Sequence, residues 1–150
     1  MLLRPIGIAT LIAACAGALS QAGVASSDLN KPGVIKVTGR EIARLKRGVS
    51  AGDVEVIRLR LYNTRITSKA IGHAELVCVY IGDHDMRNCT GTFALPKGKV
   101  VAGGTIVFAD IYDLAVLGGT GLYNNVRGTL TVTSLGGKPR AFLLLFRLVV

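Results

Sequence analysis

The sequence predicts an all-β protein of about eight antiparallel strands, a barrel or a sandwich, and three observations carry that expectation. Short segments of alternating apolar and polar residues recur at regular spacing, divided by turn signals. These are Ser50-Ala51-Gly52-Asp53, Asp83-His84, Pro96-Lys97-Gly98, Gly118 to Gly121, and Gly136-Gly137-Lys138-Pro139. No segment holds a helical period over the length of a helix. The Gly-rich centre of LAVLGGTGLYNNVRGTLTV leads into a strand: after Gly119 and Gly121 a dinucleotide fingerprint needs glycine at 124, where Asn124 stands. Val126, Gly128, Leu130 and Val132 then alternate with Arg127, Thr129, Thr131 and Thr133. The glycines therefore read as a sheet corner, not a phosphate cradle.

The chain opens with one basic residue, Arg4, an apolar stretch from Ile6 to Leu19, and small residues ending at Gly23-Val24-Ala25. This is the pattern of a secretory signal peptide over 1–25, with the mature protein beginning near Ser26 and lying in the periplasm or outside the cell. The stretch is shorter than the ~20 residues of a membrane-spanning helix, so no transmembrane segment is expected. Ile12-Ala13-Ala14-Cys15 also fits a lipoprotein cleavage site. The rest divides into a leader with a candidate first strand, 26–52, and a barrel, 53–150. In the leader, VIKVTG reads as strand. In GREIARLKRG, Arg40, Arg44 and Arg47 would share one side of a short helix and form a solvated face.

VEVIRLRLY places Arg58, Arg60 and Tyr62 on one face, where paired guanidiniums either grip a carboxylate or meet solvent. AIGHAELVCVYI divides into a row of His73, Glu75, Val77 and Val79 and a row of Ala74, Leu76, Cys78 and Tyr80. If the first row points inward, His73 and Glu75 form an acid–base pair in the cavity. The small Ala74 beside Leu76 suits a tapering interior better. Should VCVYIG and MRNCTGTF pair about Asp83-His84, opposed residue numbers sum to 167, which sets Cys78 against Cys89. In an oxidising compartment that pair is bridged. KVVAGGTIVF and YDLAVLGG follow, with Asp110, Tyr112 and Asp113 at a connection near a barrel mouth. The last strand, AFLLLFRLVV, is apolar at nearly every position. One row fills the interior, and the other, either Phe142, Leu144, Phe146 and Leu148 or its odd-numbered neighbours, needs cover. That cover is a second subunit or the N-terminal segment.

Lysine and arginine number 18 against 9 acidic residues, a net charge of +9 that falls to +8 when Arg4 leaves with the signal. Such a charge suits nucleic acid, anionic lipid or acidic ligands, yet export and the lack of tryptophan and of a basic stripe interleaved with aromatics argue against nucleic acid. His73 and His84 are the only histidines and no third ligand has characteristic spacing, so no metal site is expected. GxSxG is absent, and with it the usual nucleophile elbow.

GHAELVCV, NCTGTFALPKGKVVAGGTIVF and LAVLGGTGLYNNVRGTLTV together resemble the allene oxide cyclase barrel-like and dirigent-like superfamily. Its most distinctive segment reads here as Gly118-Gly119-Thr120-Gly121-Leu122-Tyr123, ending at Gly128. The resemblance covers the chain from about Gly72 onward. It narrows the expected fold to a closed antiparallel β-barrel of about eight strands, calycin-like and with an apolar cavity, and implies assembly as dimers or trimers. The implied chemistry needs no cofactor: closure of an epoxide, or stereoselective coupling and cyclisation of reactive phenolic intermediates. A catalytic Glu and an Asn on an early strand and a Cys in a segment like LVCV are implied for the plant cyclases. Cys78 matches that Cys in placement, whereas VEVIRLRLYNTRITSK offers no evident counterpart to the early acid.

The sequence thus points to an exported barrel that binds a hydrophobic small molecule and guides its cyclisation or isomerisation, a homo-oligomer through its C-terminal strand. His73, Glu75 and Cys78 are the candidate catalytic residues, and Arg60, Tyr62, Tyr80, Asp110 and Tyr112 the candidate ligand-binding residues. The alternative is a non-catalytic basic or structural barrel acting on anionic envelope components.

Overall fold

The structure, a computed structural model, describes residues 33–63, 69–82 and 85–149. The signal read at 1–25, Cys15, Ser26 and the turn residues Asp83 and His84 lie outside the described residues. The strands are β1 Val34–Lys46, β2 Val54–Tyr62, β3 Gly72–Tyr80, β4 Met86–Leu95, β5 Gly98–Val107, β6 Ile111–Gly119, β7 Arg127–Gly136 and β8 Ala141–Val149. Each pairs antiparallel with its sequence neighbour, and β1 closes the barrel on β8 from Val34↔Arg147 to Arg40↔Ala141. Among the described residues no helix is long and apolar enough to cross a membrane.

The candidate first strand within 26–52 is therefore a full wall of the barrel, which begins at Val34 and not at 53. The stretch Arg40–Lys46, read as a short helix, continues β1. Pairing with β2 along its length, and with β8 at Arg40, engages its backbone groups, and this tertiary demand overrides local helix preference. The register with β2 shifts between Glu41 and Ala43, so Ile42 is an extra residue. Up to Glu41 the odd-numbered residues share the face of Leu59, and beyond the bulge Arg44 shares the face of Ile57. Glu41 and Arg44 both turn inward as a result, in a strand where alternation alone would separate them.

Period-two burial selects one inward row per strand. In β2 it is Glu55, Ile57, Leu59 and Leu61; in β3 Ala74, Leu76, Cys78 and Tyr80; in β4 Arg87, Cys89, Gly91, Phe93 and Leu95. In β8 it is Phe142, Leu144, Phe146 and Leu148, with Phe146 edge-on to Phe93 at a centroid distance of 5.2 Å. The outer row of β8 is then Ala141, Leu143, Leu145, Arg147 and Val149. Cys78 and Cys89 are opposed in register and joined by a disulfide, both turned into the core.

The two ends of the barrel differ. The corner after β6 folds over one end as a single 3-10 turn, Gly121–Tyr123, and buries Tyr123 and Val126. Its amides are already committed: Thr120 N donates to Lys99 O at 2.8 Å, Leu122 N to Lys97 O at 2.9 Å, and Tyr123 N to Thr120 O at 3.2 Å. A nest for phosphate needs such N–H groups unpaired, so this corner is a plug. Gly128 is required where β7 leaves it, since a Cβ there would stand 1.9 Å from Arg147 O at a φ of +140°. The opposite end, ringed by the β1–β2, β3–β4, β5–β6 and β7–β8 connections, is the mouth.

The disulfide closes a short loop between adjacent strands, so replacing both cysteines by serine should lower stability by about 2–3 kcal/mol. Urea unfolding of the wild type with and without reductant, beside the double variant, measures that loss.

Candidate functional site

Glu55 begins the inward row of β2 and has 0% of its surface exposed. A carboxylate in that position is tolerable only if both oxygens are engaged. Oε1 accepts from Arg44 Nη1 at 2.5 Å, and Oε2 accepts from Arg87 Nη1 in a close buried ion pair. Arg44 is shared with Glu41, which accepts from its Nη2 at 2.8 Å and from its Nε at 3.1 Å. Arg87, 3% exposed, also donates from Nε to Asp85 O at 3.3 Å and from Nη2 to Asp85 Oδ1 at 3.5 Å. Burial works against the charge on Arg44, and the hydrogen bonds and field of Glu41 and Glu55 outweigh it, so its pKa rises. The cluster is thus a neutral set of two carboxylates and two guanidiniums, with Asp85 at its rim.

Aromatic faces hold Arg87 in place. Its guanidinium carbon lies 4.6 Å from the ring centre of Tyr80 and 4.5 Å from that of Phe108, while Lys46 Nζ is 5.3 Å from the Tyr80 ring. Phe108 meets Tyr112 at a centroid distance of 5.8 Å. The sequence Lys46, Tyr80, Arg87, Phe108, Tyr112 therefore crosses the mouth as a stack of cations and rings. Tyr80 is fully buried and its hydroxyl has no hydrogen-bond partner among the described residues.

Below this stack lies a void of about 10 Å³, room for about one water, lined by Ile57, Leu59, Leu76, Phe93, Tyr112, Val132, Phe142 and Leu144. Tyr112 is the one lining residue with a polar side-chain atom. Burial raises its pKa above the ordinary phenol value; Arg87 and Arg44 pull it down and Glu55 pushes it up by smaller amounts. At neutral pH it is a hydroxyl able to donate one hydrogen bond, on a residue that lines an otherwise apolar void.

Of the residues singled out from sequence, Tyr80, Tyr112 and Cys78 come together at the mouth side of the interior. His73 and Glu75 project from the outer wall, so they do not form a cavity acid–base pair. Glu75 bonds Arg58 at 3.1 Å, with both side chains more than half exposed. Arg60 is exposed on the same wall. Tyr62 is buried near the plugged end beside Thr38, and Asp110 is exposed on the β5–β6 connection. The signature residues Gly118, Gly119, Gly121, Tyr123 and Gly128 lie at the plugged end, away from the cluster. Cys78 is held in its disulfide and faces Glu55 across the β2–β3 ladder. The inward acid of β2 that the sequence reading passed over is Glu55: the row Ile57, Leu59, Leu61, extended back by two, reaches it. Arg87 was reachable in the same way, two residues before Cys89. Arg44 was not, because its inward turn depends on the bulge at Ile42.

No family model matches the sequence, and no curated protein matches it. Solved structures do match. A pyocyanin demethylase superposes with a TM-score of 0.67 at 22% identity, over 77% of this chain and 99% of its own. A pterocarpan synthase dirigent protein gives 0.62 at 14% identity, over 77% and 84%. An exo-specific intermolecular Diels–Alderase gives 0.63 at 12% identity, over 75% and 96%. The fold of this chain is that of the dirigent and allene oxide cyclase-like barrels.

Replacing Glu55 by alanine strands two buried guanidiniums. It should cost about 3–5 kcal/mol in chemical unfolding at neutral pH, far more than Glu75→Ala, whose exposed pair contributes about 0–1 kcal/mol. Removing the Tyr80 hydroxyl leaves no partner unsatisfied, so Tyr80→Phe should match the wild type or exceed it by up to about 1 kcal/mol in the same assay.

Proposed function

We propose that the barrel takes an apolar small molecule into its lumen through the Arg87–Phe108–Tyr112 mouth and guides its cyclisation. The carrying observation is Tyr112, a neutral hydroxyl set in an otherwise apolar wall and backed by a charge cluster that is already balanced. Its role is to donate a hydrogen bond to a ligand oxygen, polarising it, while the branched walls restrict the ligand to conformations that lead to ring closure. Glu55 is a positioning residue: both its oxygens are spent on Arg44 and Arg87, so it fixes the guanidiniums and carries no proton to the ligand. This division suits a cyclisation whose bonds reorganise within the ligand better than an isomerisation needing a free base. The fold shared with a dirigent protein and a Diels–Alderase supports it.

The void is smaller than any such ligand, so binding displaces side chains. Phe108 and Tyr112, half-buried at the mouth, are the rings such a ligand would have to displace. The tight interior also favours a second reading, a non-catalytic barrel whose lumen stays filled by its own side chains. Export of the mature chain, and assembly of copies through the outer β8 row of Leu143 and Leu145, belong to the same proposal. The disulfide supports the first.

Native mass spectrometry of protein taken from its source, with displacement of the neutral dye phenylnaphthylamine, separates the two readings; a lumen that binds neither co-purified ligand nor dye sinks the first. If Tyr112 donates to the ligand, Tyr112→Phe should weaken binding of the co-purified molecule by about tenfold, the worth of one buried hydrogen bond. Because burial raises the Tyr112 pKa, binding should hold level up to about pH 10 and fall only above it, as the hydroxyl ionises. Light scattering of the same samples reads the assembly.

A further inference from the structure

Charge is distributed unequally along the barrel axis. Glu41, Asp53, Glu55, Asp85, Asp110 and Asp113 all belong to the mouth half, where they balance the basic residues around them, and Glu75 sits midway on the wall against Arg58. The plugged half contains no acidic side chain among the described residues. Beside Lys69, its cations Lys36, Lys97, Lys99, Arg127 and Arg147 are exposed, and among the described residues no carboxylate lies within ion-pair distance of these five. Among the described residues Arg127 donates to Val126 O and Arg147 to Thr131 Oγ1, both neutral acceptors.

Three of these cations form one continuous patch. The register sets Lys36 opposite Leu145, Arg147 opposite both Val34 and Thr129, and Arg127 opposite Val149. Opposed residues in an antiparallel pair share a face, so cations and aliphatic side chains alternate across the outer wall of β1, β8 and β7. Val34 is 64% and Val149 63% exposed. Such interleaving has a physical partner in a surface that is anionic outside and hydrocarbon beneath: the cations meet headgroups and the aliphatic side chains enter between them. At this end of the wall, beyond the Leu143–Leu145 stretch, a second copy of the chain fits poorly, because a self-complementary contact there would set Arg147 against like charge. Nucleic acid fits poorly as well, since the patch offers no aromatic platform for bases.

We propose that the plugged end of the barrel, through Lys36, Arg127 and Arg147 with Val34 and Val149, docks on an anionic lipid surface and leaves the mouth facing away from it. The proposal does not depend on what the lumen binds.

Co-sedimentation with vesicles of phosphatidylcholine, with and without phosphatidylglycerol, tests it. The full protein should sediment with the anionic vesicles only and be released as salt is raised. Arg127→Glu with Arg147→Glu should weaken that binding by roughly tenfold or more. The charge-matched control at the mouth, Lys138→Glu with Arg140→Glu, should retain it. Should the charge reversal fail to fold by circular dichroism, Lys36→Gln with Arg127→Gln is the second variant, expected to weaken binding in the same direction. Absence of binding to phosphatidylglycerol vesicles, equal loss in the mouth control, or equally tight binding to duplex DNA would overturn the proposal.

Discussion

Everything in this molecule depends on the pairing of β1 with β8. Closing the sheet removes its edges and fixes one inward row on every strand, and those rows then have to fill a cylinder wide enough for side chains and little else. The interior responds with branched and aromatic residues through most of its length. Only toward one end does the requirement relax, and only there do Glu55, Arg44 and Arg87 occur. Closure therefore decides where polar chemistry can exist: a charge halfway down has no water and no partner, whereas one at the mouth can be met by neighbours from adjoining strands.

That exchange explains the composition of the cluster. Glu55 would be costly alone, Arg87 equally so, and each makes the other tolerable; Arg44 and Glu41 extend the balance to the rim. The aromatic faces of Tyr80 and Phe108 then fix the plane of Arg87 more tightly than its hydrogen bonds alone. Such a set of charges is rigid and internally satisfied. It acts on its surroundings through its field, and the residue that feels that field while facing the lumen is Tyr112.

Strand count, hairpin order and the opposition of Cys78 to Cys89 are all legible in the sequence, because period-two alternation and turn residues are local signals and an antiparallel register follows from a turn centre. The site is legible only in part. Tyr80 and Tyr112 stand out as polar-tipped rings near a barrel mouth, but Glu55 is masked by its neighbours: Arg58 and Arg60 draw attention to the opposite face of the same strand. Arg44 lies beyond any periodic argument. One extra residue at position 42 reverses the facing of everything after it, and nothing local distinguishes a bulge in GREIARLKRG from a turn of helix. The charged half of the N-terminal wall is missed for a related reason: it looks solvated until β2 is seen to claim its backbone.

The glycine corner that seals the far end has a consequence for how such barrels diverge. Its residues are dictated by backbone geometry, with Gly128 against Arg147 O and the corner amides tied to Lys97 and Lys99, so they tolerate little change whatever the protein does. The mouth lies at the other pole of the cylinder and shares none of those contacts. Substitutions there are free to redirect reactivity without loosening the seal. Two barrels could therefore share such a corner at the base and differ in chemistry at the rim, so likeness at the corner speaks for the scaffold and not for the reaction.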